Sequence, residues 1–410
     1  MKILFITDNF PPEVNAPASR TYEHCTYWSK KGYDITVITS FPNFPQGKVY
    51  SGYKNSWKKV ENYGKIKVIR VWTFMAPNAG VVKRLIDFNS FALRAFFAGL
   101  VIDCDIIIAT SPQFFTVLSA NFLSIIRKVP WIFEVRDLWP ESLWMLNKRS
   151  FSYRVFSWLE LYMYNKASKI IVVTNSFKET LIERGINSEK IEIVFNGVNI
   201  ESFNPIPRDT SILNKLGISE NKIVIGYIGT FGVAQNIPFY VKLFPLIYEK
   251  FPFIHFLLIG DGAERILVEQ LLKERPLNNV TLLNPIPKDL VSSYTSILDI
   301  VFVPLRDEPA YLKVIPSKIF ELAAMNKLIL LGVKGETKAI IDYYKIGISF
   351  EPENIDSFFD ALTYVISNES YIIADNTCFK RFCADFSREE QANKMLQVIH
   401  SIIINYYGKS

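Results

Sequence analysis

Short runs of β-branched and aliphatic residues recur along the chain, bounded by polar or turn-forming residues and separated mostly by helix-length stretches. In the first half, Ile3–Thr7, Ile35–Thr39, Val68–Trp72, Ile106–Thr110, Trp131–Val135, Ile170–Thr174 and Ile191–Phe195 predict strands. Such continuous apolar runs suit parallel strands covered by helices on both faces. A segment rich in turn formers, Asn196-Gly197-Val198-Asn199 through Asn204-Pro205-Ile206-Pro207, interrupts the pattern. It restarts with Ile223–Ile228, Phe253–Ile259, Val280–Leu283, Ile300–Pro304, Leu328–Leu331 and Ile348–Phe350. The expected architecture is α/β, with two doubly wound domains spanning 1–203 and 204–387. The stretch from about Arg388 to Tyr407 has helical periodicity and no strand after it. It either completes the second domain or crosses back to the first.

The length, 410 residues, agrees with two cores better than with one. A net charge of +6 permits an anionic partner such as a phosphate or a lipid surface. It falls short of the charge density of most nucleic-acid binders, so no nucleic-acid partner is expected. Cys25, Cys104, Cys378 and Cys383 form no Cys-x-x-Cys pair, and His24, His255 and His400 are scattered. A reduced cytoplasmic chain with no structural zinc and no histidine triad is the simplest reading. The N-terminus lacks the apolar core of a signal peptide, and the longest apolar run, near 95–102, is too short to span a bilayer.

In doubly wound sheets ligands bind beyond the carboxyl ends of the strands, and this rule sorts the polar motifs. The first strand opens into Asp8-Asn9-Phe10-Pro11-Pro12-Glu13-Val14-Asn15-Ala16-Pro17 before a helix from about Ala18, a loop able to offer backbone N–H groups to an anion. An ordinary turn explains the same loop. No Gly-x-Gly-x-x-Gly is present, which disfavours the usual dinucleotide site. After Glu134-Val135 come Arg136-Asp137-Leu138-Trp139-Pro140-Glu141-Ser142, a group suited to hydroxyls and phosphates, or else a surface ion-pair cluster.

In the second half, Gly229 and Gly232 after the run that holds Gly226, then Gly260-Asp261-Gly262, follow strands and let backbone approach a phosphate, or else make tight βα turns. Arg306 and Ile315-Pro316-Ser317-Lys318-Ile319-Phe320-Glu321 form the densest group. Pro316, Ser317 and Lys318 mark a helix start that would favour a diphosphate, and Glu321 one turn on can accept from two ribose hydroxyls. A capping acid is the plainer account of Glu321. Asp103-Cys104-Asp105 matches an Asp-x-Asp metal motif but precedes a strand, at the amino edge, and no protein-bound catalytic metal is expected.

Taken together these motifs resemble the retaining glycosyltransferases of family 4, which have the GT-B fold of two facing Rossmann-like domains. The resemblance covers nearly the whole chain. It rests on Lys2–Ile6 with Pro11-Pro12 and Arg20, on Lys31–Thr39, and on the more specific stretch Phe41–Tyr53. Arg136–Ser142 and Ile315–Lys318 add to it and point to the bacterial surface-polysaccharide branch that includes L-N-acetylfucosamine transferases.

The resemblance implies a nucleotide-diphospho-sugar, UDP-linked, held by the second domain through Gly229, Thr230, Gln235, Asn236, Asp261 and Gly262 with Arg306, Ser317, Lys318 and Glu321. It implies a polyprenyl-diphosphate-linked saccharide acceptor on the first domain, near Asn15, Ala16, Arg20, Arg136, Asp137 and Glu141, with the final helix, about 388–410, crossing back. Lys318, Glu321 and Asp137 are the residues expected at the reaction, which would serve O-antigen or capsule assembly. Glu321 matches the second acid of the family's Glu-x₇-Glu motif, whereas Lys313 stands at the first. Thr230, Gln235 and Asn236 occupy the region where the family often has Arg and Lys, so Lys318 or Arg306 would supply the charge.

Two rivals keep the same architecture: a nucleotide-sugar epimerase, which the scattered histidines disfavour, and a non-enzymatic sugar-nucleotide binder. A helix over Val81–Ile102 mixes Lys83, Arg84 and Arg94 with Leu85, Ile86, Phe88, Phe91 and Phe97. It is either a core helix or a peripheral contact with the inner membrane surface.

Overall fold

The structure is a computed structural model that describes residues 1–44, 46–75, 81–111, 114–139, 150–368 and 376–408, without the side chains at 81, 82 and 310. The chain divides into two compact units, Met1–Asn196 with Arg388–Ser410, and Gly197–Ser387. The second unit begins before the expected residue 204. Val198 donates its N–H to the Phe386 carbonyl at 2.9 Å and bridges Ser387, which binds this turn-rich segment to the second unit.

The first unit carries β1 (Lys2–Ile6), β2 (Asp34–Ser40), β3 (Lys58–Tyr63), β4 (Ile66–Val71), β5 (Ile106–Thr110), β6 (Trp131–Val135), β7 (Lys169–Val172) and β8 (Ile191–Ile193). They form one sheet in the order β3-β4-β2-β1-β5-β6-β7-β8. The order reverses between β1 and β5, which pair in parallel from Ile3↔Ile106. That reversal is the switch point where loops diverge and leave room for a ligand. Strand β3 has no counterpart in the apolar pattern. It is an edge strand of Lys58-Lys59-Val60-Glu61-Asn62-Tyr63, turned at Gly64 (φ +60°) and antiparallel to β4. Charges on an exposed edge deter unwanted pairing and also erase the hydrophobic signal.

Alternation along β1 divides the core. Leu4 and Ile6 face the helices Val81–Gly99, Thr116–Arg127 and Phe151–Lys166, while Ile3 and Phe5 face Ala16–Lys30 and the final helix Arg388–Tyr407. That final helix belongs to the first unit. Met395, Leu396, Ile399 and Ile402 are buried in the cluster that holds Trp28, and the Trp28 indole N–H donates to the Ala392 carbonyl at 2.9 Å. Each such burial stabilises by about 1.5–3 kcal/mol. The helix after residue 80 ends at Gly99, short of Ile102. A Cβ there would lie 2.4 Å from a Leu123 methyl, so the neighbouring helix approaches too closely for any side chain.

The second unit carries β9 (Ile223–Ile228), β10 (Ile254–Ile259), β11 (Val280–Leu283), β12 (Ile300–Pro304), β13 (Leu328–Gly332) and β14 (Gly347–Ser349). Their order is β11-β10-β9-β12-β13-β14, parallel throughout, with the switch between β9 and β12. Both sheets are the doubly wound kind that the apolar pattern predicts.

Candidate active site

In the second unit, the loops after β9, β10 and β12 converge with the helix Lys318–Ala324. Gly229, Gly260 and Gly262 have φ of +153°, +153° and +154°, a conformation side chains resist. A Cβ on Gly260 would lie 1.8 Å from the Gly229 carbonyl, and one on Gly262 2.6 Å from the Phe231 carbonyl. These glycines therefore let two loops stack backbone on backbone, whatever ligand they serve. Thr230 and Asp261 lie exposed on this edge, and the Asp261 carboxylate accepts from the Gly262 N–H at 2.8 Å.

Lys318 points back toward the first of these loops. Its ammonium sits 4.1 Å from the centre of the Tyr227 ring, donates to the Ile228 carbonyl at 3.3 Å, and comes within 2.6 Å of where a Gly229 side chain would begin. Burial pushes it down to about 8, offset in part by the Glu321 carboxylate. Lys318 is thus a cation with weak internal partners beside an open glycine turn. The helix starts at Lys318, one residue past Ser317, whose hydroxyl makes no cap, and runs seven residues to Ala324. Glu321 is half-buried in the first turn.

Arg306 is held more firmly. Its Nε donates to the Val233 carbonyl at 2.6 Å, and its Nη2 to Glu264 at 3.2 Å and Asn236 at 3.4 Å. Asn236 (φ +45°) in turn donates to Glu353. Gln235 packs beneath the same loop, its side-chain oxygen 2.7 Å from where a Gly232 Cβ would sit. Glu264 and Tyr227 escaped the sequence reading. Glu264 stands two residues past Gly262, where its charge opposite Arg306 depends on the fold. Tyr227 lies in the apolar run of β9, and its hydroxyl donates to the Thr230 carbonyl at 2.5 Å.

In the first unit the loop after β1 ends at Asn15, which caps the helix Ala16–Lys30 by accepting from the Ala18 N–H at 2.9 Å. Ala16 is the first helical residue, two before the expected start. Glu13 accepts from the Asn43 and Phe44 N–H groups at 2.8 and 2.9 Å, tying this loop to the distinctive stretch after β2. The Asp8 carboxyl, passed over as a loop residue, is pushed well above the carboxylate range by burial, then by Asp87 and Glu13.

Arg20 lies in the core, 1% exposed. Its Nε meets Glu134 at 2.8 Å, and its other nitrogens donate to the Val194 and Phe195 carbonyls. Burial alone would raise Glu134, but Arg20 and Arg136 outweigh it and hold the carboxyl low. Those contacts make Arg20 a structural cation, a correction to its expected place at the acceptor.

Arg136 is half-buried: Nη2 donates to the Asn196 side chain at 3.2 Å, and Nη1 has no hydrogen-bond partner. Burial and then Arg20 disfavour its charge, with Arg388 adding to the repulsion. Arg388, from the start of the final helix, pairs with Glu23 at 2.6 Å and donates to the Asn196 carbonyl. No local motif could have shown this, because sequence separates Arg388 widely from Arg136. Asp137 is exposed as a residue, yet desolvation of its carboxyl raises it to about 6 despite Arg136. The Ser111 hydroxyl accepts from both the Arg136 and Asp137 N–H groups, at 2.7 and 3.3 Å. Glu141 lies outside the described residues.

Asp103-Cys104-Asp105 stands at the amino edge. Lys2 pairs with Asp103 at 2.6 Å, and its backbone N–H donates to Asp105 at 2.7 Å. Among the described residues, no group of three or more His, Cys, Asp or Glu is placed to hold a metal ion.

Two family profiles match this chain: Glycosyltransferase Family 4 over residues 18–202, and Glycosyl transferases group 1 over residues 209–378. Between them they span the strands from β2 to β14 and most of the residues described above, and the protein is a glycosyltransferase of family 4 with the GT-B fold. The chain is 23% identical over 370 residues, 87% of its length and 90% of the relative's, to WcaI of Escherichia coli (strain K12). The name of that relative assigns it provisionally to colanic acid biosynthesis as a glycosyl transferase. It is 24% identical over 270 residues, 63% of the chain and 67% of the relative, to the UDP-Gal:alpha-D-GlcNAc-diphosphoundecaprenol alpha-1,3-galactosyltransferase of Escherichia coli. The fold matches sucrose-phosphate synthase of Thermosynechococcus elongatus with a TM-score of 0.74, at 16% identity, over 98% of this chain and 99% of that one. It also matches Anabaena Alr3699/HepE, solved with UDP and glucose, with a TM-score of 0.70, at 14% identity, over 98% and 100%.

Proposed function

We propose that the enzyme transfers a sugar, with retention of configuration, from a UDP-sugar to a polyprenyl-diphosphate-linked saccharide during assembly of a surface polysaccharide such as O-antigen or capsule. The second unit takes the donor and the first takes the acceptor. The observation that carries this reading is Lys318, a cation pressed against the glycine turn at the carboxyl edge of β9 with one long hydrogen bond of its own. As the bond from sugar to diphosphate breaks, negative charge grows on the leaving oxygen, and a cation already in place stabilises it without reorganisation. Glu321, half-buried one turn along, is the residue we assign to the ribose hydroxyls. Exposed Asp137 and the under-bonded Arg136 are the first unit's groups for the acceptor.

The relatives support the substrate classes. One is named for transfer from UDP-Gal to a diphosphoundecaprenol-linked sugar, and a structural neighbour was solved with UDP. An N-acetylated amino or deoxyamino hexose such as L-N-acetylfucosamine is our choice for the transferred sugar, on the motifs after β2 and β6. The proposed place is the cytoplasmic face of the inner membrane.

The test measures nucleoside diphosphate release from a panel of UDP-, GDP- and ADP-sugars, with and without a polyprenyl-diphosphate-linked saccharide. Release that requires both a UDP-sugar and the acceptor supports the reading. Conversion of the sugar without acceptor would mean an epimerase, and stabilisation by nucleotide without turnover would mean a binding protein.

A further inference from the structure

The helices Val81–Gly99, Thr116–Arg127 and Phe151–Lys166 bury one side on the first sheet through residues such as Phe91, Ala95, Val117, Leu123 and Met163. Their other side is apolar as well. Leu93, Phe97, Phe122 and Ile125 are exposed, and on the third helix Phe151 and Trp158 are 81% and 65% exposed. The exposed large apolar residues of that helix fall at 151, 155, 158 and 162, spaced four, three and four, which is one helical face. The three helices adjoin. Phe96 meets Phe122 with ring centres 6.3 Å apart, and Phe115 meets Phe156 at the same distance. Scattered surface apolar residues need no explanation, but a face continuous over three helices does.

Its charge is one-sided. These helices contain only two carboxylates, Asp87 and Glu160. Glu160 is buried against Arg184 at 2.6 Å, and Asp87 is half-buried, close enough to raise Asp8. The cations lie on or beside the apolar face: Lys83 and Arg154 are exposed, Lys166 lies over the Tyr162 ring, and Arg94 stacks 3.4 Å above Trp57. Trp57 is itself 69% exposed on the segment before β3. Tryptophan, tyrosine and long cations around an apolar patch suit the headgroup layer of a bilayer, where rings enter the acyl boundary and cations meet anionic lipid.

The geometry points to this three-helix face as the surface that docks on an anionic lipid bilayer, with Trp57, Phe151 and Trp158 entering the headgroup layer. The inference rests on the proposed lipid-linked acceptor and names the surface that would bring the enzyme to it. It moves the main anchors off the helix that the sequence singles out and onto Phe151–Lys166. None of the docking residues belongs to the donor or acceptor groups described above.

The experiment is flotation of the full chain with vesicles of phosphatidylcholine alone or with added phosphatidylglycerol, over a range of salt. The wild-type chain is expected to float with phosphatidylglycerol vesicles at low salt and to lose binding as salt rises. Phe151→Ser and Trp158→Ser should each weaken binding about tenfold, the value of one buried aromatic anchor. Lys83→Glu with Arg154→Glu should weaken it at low salt only. UDP-induced thermal stabilisation should be unchanged in all of these, so a failed donor assignment and a failed docking surface are told apart. Undiminished flotation of the folded serine variants overturns the proposal. So does a wild-type dimer in sedimentation that Trp158→Ser breaks into monomers, since the face would then belong to a second copy.

Discussion

At the carboxyl edge of the first sheet, Arg20 and Glu134 meet at 2.8 Å inside the core, and Arg20 gives its remaining nitrogens to backbone carbonyls. At the same edge of the second sheet, Lys318 rests on a tyrosine ring beside a glycine turn, with one long hydrogen bond. Both cations are desolvated, and both stand where doubly wound sheets bind ligands. They differ in what is left over. The first is satisfied and so contributes to the fold; the second keeps unmet hydrogen-bonding capacity and so can serve a ligand. Position alone does not separate a structural cation from a functional one, whereas a count of their partners does.

The largest effect should come from breaking the satisfied pair. Arg20→Ala leaves Glu134 buried without its hydrogen-bonded counter-ion, with only Arg136 nearby, at a cost of about 3–5 kcal/mol of stability. Urea denaturation followed by circular dichroism measures it. A near-normal midpoint together with lost acceptor turnover would return Arg20 to the acceptor site and erase the contrast with Lys318.

Lys318→Ala should do the reverse, leaving stability little changed or improved while kcat falls by about 10²–10³, the cost of losing one charge-stabilising donor. The fall should appear more in kcat than in UDP affinity, because the charge it meets grows in the transition state. Parent-rate turnover in that variant would shift the role to Arg306, even though Arg306 is bound to Val233, Asn236 and Glu264. Glu321→Ala comes next, with UDP binding weakened by about 1.5–3 kcal/mol, the range of a charge-assisted hydrogen bond. Calorimetry with UDP and with 2′-deoxy-UDP checks this: the two nucleotides should bind Glu321→Ala with more nearly equal affinity.

The same contrast explains what the sequence could show. Strands such as Ile106–Thr110 and Ile300–Pro304 were legible to the residue, because buried parallel strands are written as unbroken apolar runs. Strand β3 was not, because its charges serve an exposed edge. Arg136, Asp137, Lys318 and Glu321 were singled out by their place after strands or at a helix start. Glu134 was read beside Arg136, but Glu264, Tyr227 and Arg388 were not, since they acquire meaning only when the fold sets them beside a charge. Arg20 shows the converse error, a motif residue near the right edge whose contacts turn inward.

The smallest effect, and the most specific to Lys318, is its pH dependence. Burial holds its ammonium at about 8, below its ordinary value of 10.5. The unfolded chain therefore keeps this proton over a window, between about 8 and 10.5, in which the folded chain has lost it. Stability from this group rises with pH across that window. Affinity for a diphosphate moves the other way, since only the protonated amine attracts it. Between pH 7 and pH 9 the UDP dissociation constant should rise about tenfold, and Lys318→Arg, charged throughout, should abolish the rise. Lys327 is also held near 8 by burial, so stability alone cannot isolate Lys318. Its ammonium, however, donates to the Ser296 and Leu298 carbonyls, ahead of β12 at the amino edge, away from the glycine turns. A rise in the dissociation constant that survives Lys318→Arg would mean that some cation other than Lys318 meets the diphosphate. A rise that disappears leaves the under-bonded lysine as the group that titrates.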